Sequence, residues 1–270
     1  MENGELLGWI ESPSGHAKIL VRDGYFYNDK WQNGTVHLKP PNSSSFELTG
    51  FYRPMEAVIN DLGCAVIADW LSSDDLNGML YFVRPNGTII RKHQFNVNLG
   101  NLAIDPDGAL VFVTTAASEF EDSKLLCYDV QTGEIIWDKI APKPAARITV
   151  VPSENSILVG EPYMPCGRDY ILKIAFTGEI LERWPDSPYQ AVEFGEMELK
   201  AGRHQEAERW FQVAAQSDIS ERHRAKACKA LGEMAEDAKR FKDALKYYEK
   251  ALHLDPKSGV KRKIDSLQKK

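Results

Sequence analysis

Over the first 186 residues apolar positions fall in short runs rich in Val, Ile, Tyr and Phe, broken by turn pairs of Gly, Pro, Asn and Asp. Long helical periodicity is absent there. Three stretches align with one another: Glu56 to Gly63 followed by CAVIADW, NLAIDPDGALVFVTT from Asn101, and RITVVPSENSILVG from Arg147. Each reads as strand, polar turn, strand. Each is followed by a second hairpin, YFVRPNGTIIRK, LLCYDVQTGEIIW or ILKIAFTGEILERW. The turn glycines of these second hairpins, Gly87, Gly133 and Gly178, are 46 and 45 residues apart. The pattern predicts units of four short strands at about 55–98, 99–144 and 145–186. From about residue 187 the spacing turns helical, with hairpins at 188–221 and 225–256. A polar segment follows in which Val260, Ile264 and Leu267 hold helical spacing, as in a capping helix. The predicted class is α+β in two domains, an all-β domain over 1–186 and an α-helical one over 187–270.

The second helical hairpin carries small and large residues at fixed places. Leu231 and Gly232 lie in its first helix, and Ala244, Tyr248, Ala251 and Pro256 in and just after its second. Alanine suits a close approach of two helix backbones, the aromatic fills the space beside it, and proline ends the unit. The pattern resembles the tetratricopeptide repeat, whose period is about 34 residues. Upstream, Phe194 and Gly195, then Ala207, Phe211 and Ala214, match it, with Ile219 where the proline would stand. The two units are 37 residues apart, so their connection is slightly long. One such unit cannot bury its own apolar face, so a neighbour is expected. The resemblance implies a protein-binding surface rather than an active site.

A period near 45 residues made of four short strands is the mark of β-propeller blades. The middle hairpin, from Cys127 to Trp137, resembles the tryptophan-docking motif of quinoprotein-like propellers. That resemblance implies structural roles for Asp129, Thr132, Gly133 and Trp137: a tight turn, and an indole packed between adjacent blades. Thr177-Gly178 repeats part of the motif with Trp184 placed later, and Asn86-Gly87 keeps the turn. The family's enzymes use a quinone, calcium and an export signal. None is indicated here, so no cofactor, metal or catalytic residue is expected. Residues 1–54 leave room for a fourth blade but fit the repeat poorly, despite turn signals at Pro13 to Gly15, Asp23-Gly24 and Asn33-Gly34. A four-bladed ring, an open arc, or half of a ring completed by a second copy all satisfy that count.

Composition narrows the setting. The N-terminal segment lacks the basic and apolar regions of a secretory signal, and no apolar run approaches the ~20 residues that span a bilayer. The expectation is a cytoplasmic protein without membrane contact. Cys64, Cys127, Cys166 and Cys228 are scattered, with no CxxC pair, which argues for reduced thiols rather than zinc or disulfides. From Ser187 onward 18 Lys/Arg face 14 Asp/Glu; the preceding residues hold 15 against 25. The acidic sheet domain speaks against nucleic acid.

Chemistry is sparse. His16, His37, His93, His204, His223 and His253 form no metal-binding pair, and no nucleophile-elbow, Walker or dinucleotide motif occurs. Asp69, Asp74 and Asp75 are the densest acidic cluster, read as a loop, and Asp105 to Gly108 as a turn. In tetratricopeptide repeats the first helix of each pair lines the concave face. Matching positions are Tyr189, Val192, Glu196, Leu199 and Lys200, then Lys226, Lys229, Glu233, Glu236 and Asp237. The clamp that holds a chaperone's terminal carboxylate in that family is incomplete, because two of its positions are Val192 and Glu196. The expected function is a non-enzymatic adaptor binding protein partners. An inhibitor of a toxic enzyme such as a nuclease, and a hydrolase or lyase acting in the propeller channel, are the alternatives.

Overall fold

The computed structural model describes residues 8–71, 76–119, 121–160 and 170–269, so Asp74, Asp75 and Cys166 lie outside the described residues. Contacts divide the chain into two compact units, 1–160 with 172–182, and 161–171 with 183–270.

The first unit holds four antiparallel sheets of four strands. Sheet one comprises β1 (Ile10–Glu11), β2 (Lys18–Arg22), β5 (Gly34–Lys39) and β6 (Phe46–Phe51), with the hairpin β3 (Tyr25–Tyr27) and β4 (Lys30–Gln32) inserted between β2 and β5. Sheet two runs β7 (Pro54–Ile59), β8 (Ala65–Trp70), β9 (Gly78–Val83), β10 (Ile89–Phe95). Sheet three runs β11 (Leu99–Ile104), β12 (Leu110–Thr115), β13 (Lys124–Asp129), β14 (Ile135–Ile140). Sheet four runs β15 (Arg147–Val151), β16 (Ser156–Gly160), β17 (Leu172–Ala175), β18 (Ile180–Arg183). The first strands pack in series, β1 on β7, β7 on β11 and β11 on β15, and among the described residues sheet one makes no comparable packing on sheet four. Among the described residues this is a propeller-like arc whose first and last sheets do not pack together.

Residues 10–51 therefore form a four-stranded blade, hidden from the repeat count by an insertion. Asp23-Gly24 and Asn33-Gly34 flank the inserted hairpin rather than the blade's own turns, and Asn28 and Asp29, at φ 47° and 58°, form its reversal. Alternation does the sorting in this blade. On one face Ile19 pairs with Leu38 and Val21 with Val36, and all four are fully buried. On the other face Lys18 pairs with Lys39 and Leu20 with His37; the Lys18–Glu11 ion pair (2.5 Å) runs across the strands, and His37 Nε2 lies 3.6 Å from Glu47. That face is mixed: Lys18, His37 and Glu47 reach water, while Leu20 is only 9% exposed.

One device joins successive blades. The third-to-fourth-strand turn of each blade receives side chains from the preceding blade: Gly87 faces Phe46 and Leu48, Gly133 faces Phe82 and Arg91, and Gly178 faces Trp137. A Cβ on Gly178 would lie 2.9 Å from the indole, and its φ of +92° already excludes most L residues. The Trp137 indole N–H donates to the Phe176 carbonyl (2.8 Å), and the His93 Nε2 hydrogen-bonds the Gly133 carbonyl (2.8 Å) at the corresponding place one blade earlier. The turn itself is fixed by Asp129, whose Oδ1 accepts from the amides of Gln131 (2.9 Å) and Thr132 (2.7 Å) and from the Thr132 hydroxyl (3.0 Å). Asp129, Thr132, Gly133 and Trp137 are thus structural, as the motif implied. Trp184 has no such place; it belongs to the second unit, edge-on to Trp210 (5.1 Å). At the opposite turns Asn60 Nδ2 donates to the Gly108 carbonyl (2.9 Å) and the Ser14 amide to Asp61 (2.9 Å). Asp69 is fully buried, accepting from the Tyr52 and Arg53 amides (2.9 and 2.6 Å), which makes it a backbone anchor rather than a loop residue.

The second unit holds α1 (Pro188–Lys200), α2 (His204–Gln216), α3 (Glu221–Asp237), α4 (Phe241–Leu254) and α5 (Lys261–Leu267). The Ser187 hydroxyl caps α1 by accepting from the Gln190 amide. Within each hairpin a ring lies flat against a glycine: a Cβ on Gly195 would come within 2.6 Å of Phe211, and one on Gly232 within 2.6 Å of Tyr248. Ala207, Ala214, Ala244 and Ala251 are fully buried around those rings, and Val260, Ile264 and Leu267 of the capping segment close the same core.

Candidate functional site

Helices α1 and α3, the first of each hairpin, present the candidate surface. Two cavities flank one ion pair between them, Lys226 Nζ to Glu196 Oε1 at 2.7 Å. The first, of about 460 Å³, is lined by Tyr189 from α1, Arg222, His223, Lys226 and Lys229 from α3, and Asp255 and Ser258 from the segment after α4. The second, of about 430 Å³, is lined by Leu199, His204 and Glu208 on one side and Ala230, Glu233, Met234, Asp237 and Arg240 on the other. Arg240 is paired to Glu208 there at 3.2 Å.

Of the ten residues expected on this face, Tyr189, Lys226 and Lys229 meet at the first cavity, Leu199, Glu233 and Asp237 at the second, and Glu196 stands between. Tyr189 is 54% exposed and packs edge-on against His223 (5.5 Å). Lys200 is exposed at the end of α1 and lines neither cavity. Val192 is 1% exposed and sits in the core beside Phe211, so it contributes no contact surface. Glu236 is turned away as well. It accepts from the Tyr248 hydroxyl at 2.8 Å, and Lys263 of α5 lies 3.4 Å from both Glu233 and Glu236 and 3.0 Å from that hydroxyl. This part-buried junction fastens the capping helix. Burial pushes the Tyr248 hydroxyl up to about 12, with Glu236 adding to the rise. Burial opposes the Lys263 ammonium, yet Tyr248 and Glu233 hold its pKa above the ordinary lysine value.

Arg222, His223, Asp255 and Ser258 were missed because the repeat pattern marks only first-helix positions facing their neighbours. Asp255 and Ser258 follow the second helix. Elsewhere, among the described residues no group of three or more His, Cys, Asp or Glu is placed to hold a metal ion, and no helix is long and apolar enough to cross a membrane.

The comparisons agree with the helical half. Residues 225–258 match the tetratricopeptide repeat family model. No curated protein matches the chain as a whole. Among solved structures, the chain is similar to the β-propeller domain of the Trilobed protease from Pyrococcus furiosus (TM-score 0.42, 13% identity, 58% of this chain and 48% of that one). It is also similar to TolB from Acinetobacter baumannii (TM-score 0.41, 15% identity, 68% and 45%) and to Kuenenia stuttgartiensis hydrazine synthase (TM-score 0.46, 12% identity, 67% and 49%). The chain spans about half the length of each, and nothing of their activities transfers to it. The chain thus joins a tetratricopeptide repeat match at 225–258 to a propeller-like arc of four-stranded blades that ends at Arg183.

Proposed function

We propose that the chain is a non-enzymatic interaction protein of adaptor type, whose helical unit holds an extended segment of a protein partner along α1 and α3. The carrying observation is the pair of cavities on one helix face, lined from both helices and flanking the Lys226–Glu196 bridge. Both are half-open grooves of about 460 and 430 Å³, large enough to seat side chains of an extended segment. Two repeat scaffolds in one chain, with no catalytic motif in its sequence, support the same reading. A cytoplasmic setting belongs to this proposal and rests on the free thiols of Cys64, Cys127 and Cys228.

Cross-linking mass spectrometry of the tagged chain with its captured partner tests this. Cross-links concentrated at Lys200, Lys226 and Lys229, with capture lost on Leu199→Glu, are expected. A partner cross-linked only to the blades, or substrate turnover by the purified chain, overturns it.

A further inference from the structure

The fourth strand of each blade is an outer edge of its sheet. An open edge invites another strand unless charge, brevity or an irregularity blunts it. β10 is blunted by the run Arg91, Lys92, His93 and Gln94, β18 is four residues long, and β6 carries Gly50 at φ +96°. β14 is the exception. It exposes Ile135, Ile136 and Ile140, the last at 74%, more than any other large apolar side chain among the described residues. Its ladder to β13 settles which main-chain groups are free. The Ala141 amide donates to the Ser123 carbonyl (3.0 Å), so by alternation Lys139 and Trp137 also bond to β13, opposite Leu125 and Cys127. Asp138 and Ile140, opposite Leu126 and Lys124, turn their amides and carbonyls outward, where none has a hydrogen-bond partner among the described residues. The Asp138 carboxylate is exposed and likewise unpaired among the described residues.

We infer that β14 takes up a fifth strand from a protein partner, an antiparallel segment that sets a cation opposite Asp138 and an apolar residue opposite Ile140. Charge decides against a second copy of this chain. Antiparallel pairing matches outward residues only with outward residues, so β14 against itself places Asp138 on Asp138 or, slid by two residues, Lys139 on Lys139. Like charges directly opposed destabilise a pair of strands, whereas opposite charges support it. A partner that also answers Lys139 with an acid and Trp137 with an aliphatic reads apolar, acidic, basic, apolar. Main-chain bonds to Asp138 and Ile140 hold such a strand, and its alternate side chains select it. This edge belongs to the sheet unit and works whether or not the helical groove is filled.

Amide NMR of the full chain, titrated with the end-capped peptide Thr-Thr-Val-Glu-Lys-Val-Thr-Thr, decides it. Antiparallel on β14, the first valine of this peptide faces Ile140 and its lysine faces Asp138. Shifted signals and slowed hydrogen exchange at the Asp138 and Ile140 amides are expected. Asp138→Lys, a change at an exposed position, should weaken binding about fivefold. The same peptide N-methylated at that valine and that lysine lacks the two donors of the ladder and should leave both amides unmoved. Leu199→Glu in the helical groove should not alter the response, which keeps a failure of the edge distinct from a failure of the groove. A chain that ignores the peptide, an N-methylated form that binds equally, or Asp138→Lys binding as the parent does overturns the inference. So does a dimer in light scattering that Asp138→Lys dissolves, which names a second copy as the occupant.

Discussion

Glu56 offers a sharp test of how the blades are packed. It lies on β7, a first strand of the arc, and burial pushes its carboxyl up from the ordinary 4.5 to about 7, against a smaller opposing effect of the Leu102 backbone. Over that pH interval the folded chain keeps a proton that the unfolded chain has released. The folded state then binds more protons, so stability falls as pH rises through the window and levels off above it. At about 1.36 kcal/mol per pH unit, the interval from 4.5 to about 7 sets a ceiling of about 3 kcal/mol. Glu56→Gln keeps the shape of the protonated form and cannot ionise. Urea unfolding of both proteins at pH 5, 6, 7 and 8 is the assay, and the quantity read is their difference. Burial also raises Asp69 and Asp105, but these act equally on both chains and cancel. The variant is expected to gain on the parent by about 2–3 kcal/mol between pH 5 and 8. A difference that stays constant across pH refutes the argument.

Trp137→Ala removes the bond to the Phe176 carbonyl and the ring lying on Gly178, and should cost the sheet unit about 3 kcal/mol by urea denaturation. In the helical unit Gly232→Ala drives a methyl group into Tyr248 and should lower stability by about 1–3 kcal/mol, against the usual gain of alanine over glycine in a helix. Tyr248→Phe strips the hydroxyl shared by Glu236 and Lys263; a loss of about 1 kcal/mol is expected, with faster hydrogen exchange in α5.

Much of the helical unit is legible in the chain because its signals are local and steric. A glycine and a ring that must touch across one hairpin are separated by the same 16 residues in both units, Gly195 to Phe211 and Gly232 to Tyr248. The last three blades show through for a similar reason, since each turn glycine is demanded by a neighbour one period away. The first blade does not, because the β3–β4 insertion breaks the period while leaving strand pairing intact. Within the candidate groove, helical spacing places Tyr189, Lys226 and Lys229 together but cannot tell that Val192 faces inward or that Glu236 is held by Tyr248 and Lys263.

Repeat type, blade period, the docking role of Trp137 and the sparseness of catalytic motifs were settled by the sequence alone. These depend on which residue types can occupy close contacts at a fixed separation. Tertiary structure alone decided that the described residues of the first and last sheets do not pack together, and that Ser258 and Asp255 join Arg222 and Lys229 around one cavity. Those outcomes depend on which elements meet across long stretches of chain, and that is set by the packing of whole sheets and helices, not by the spacing of neighbours.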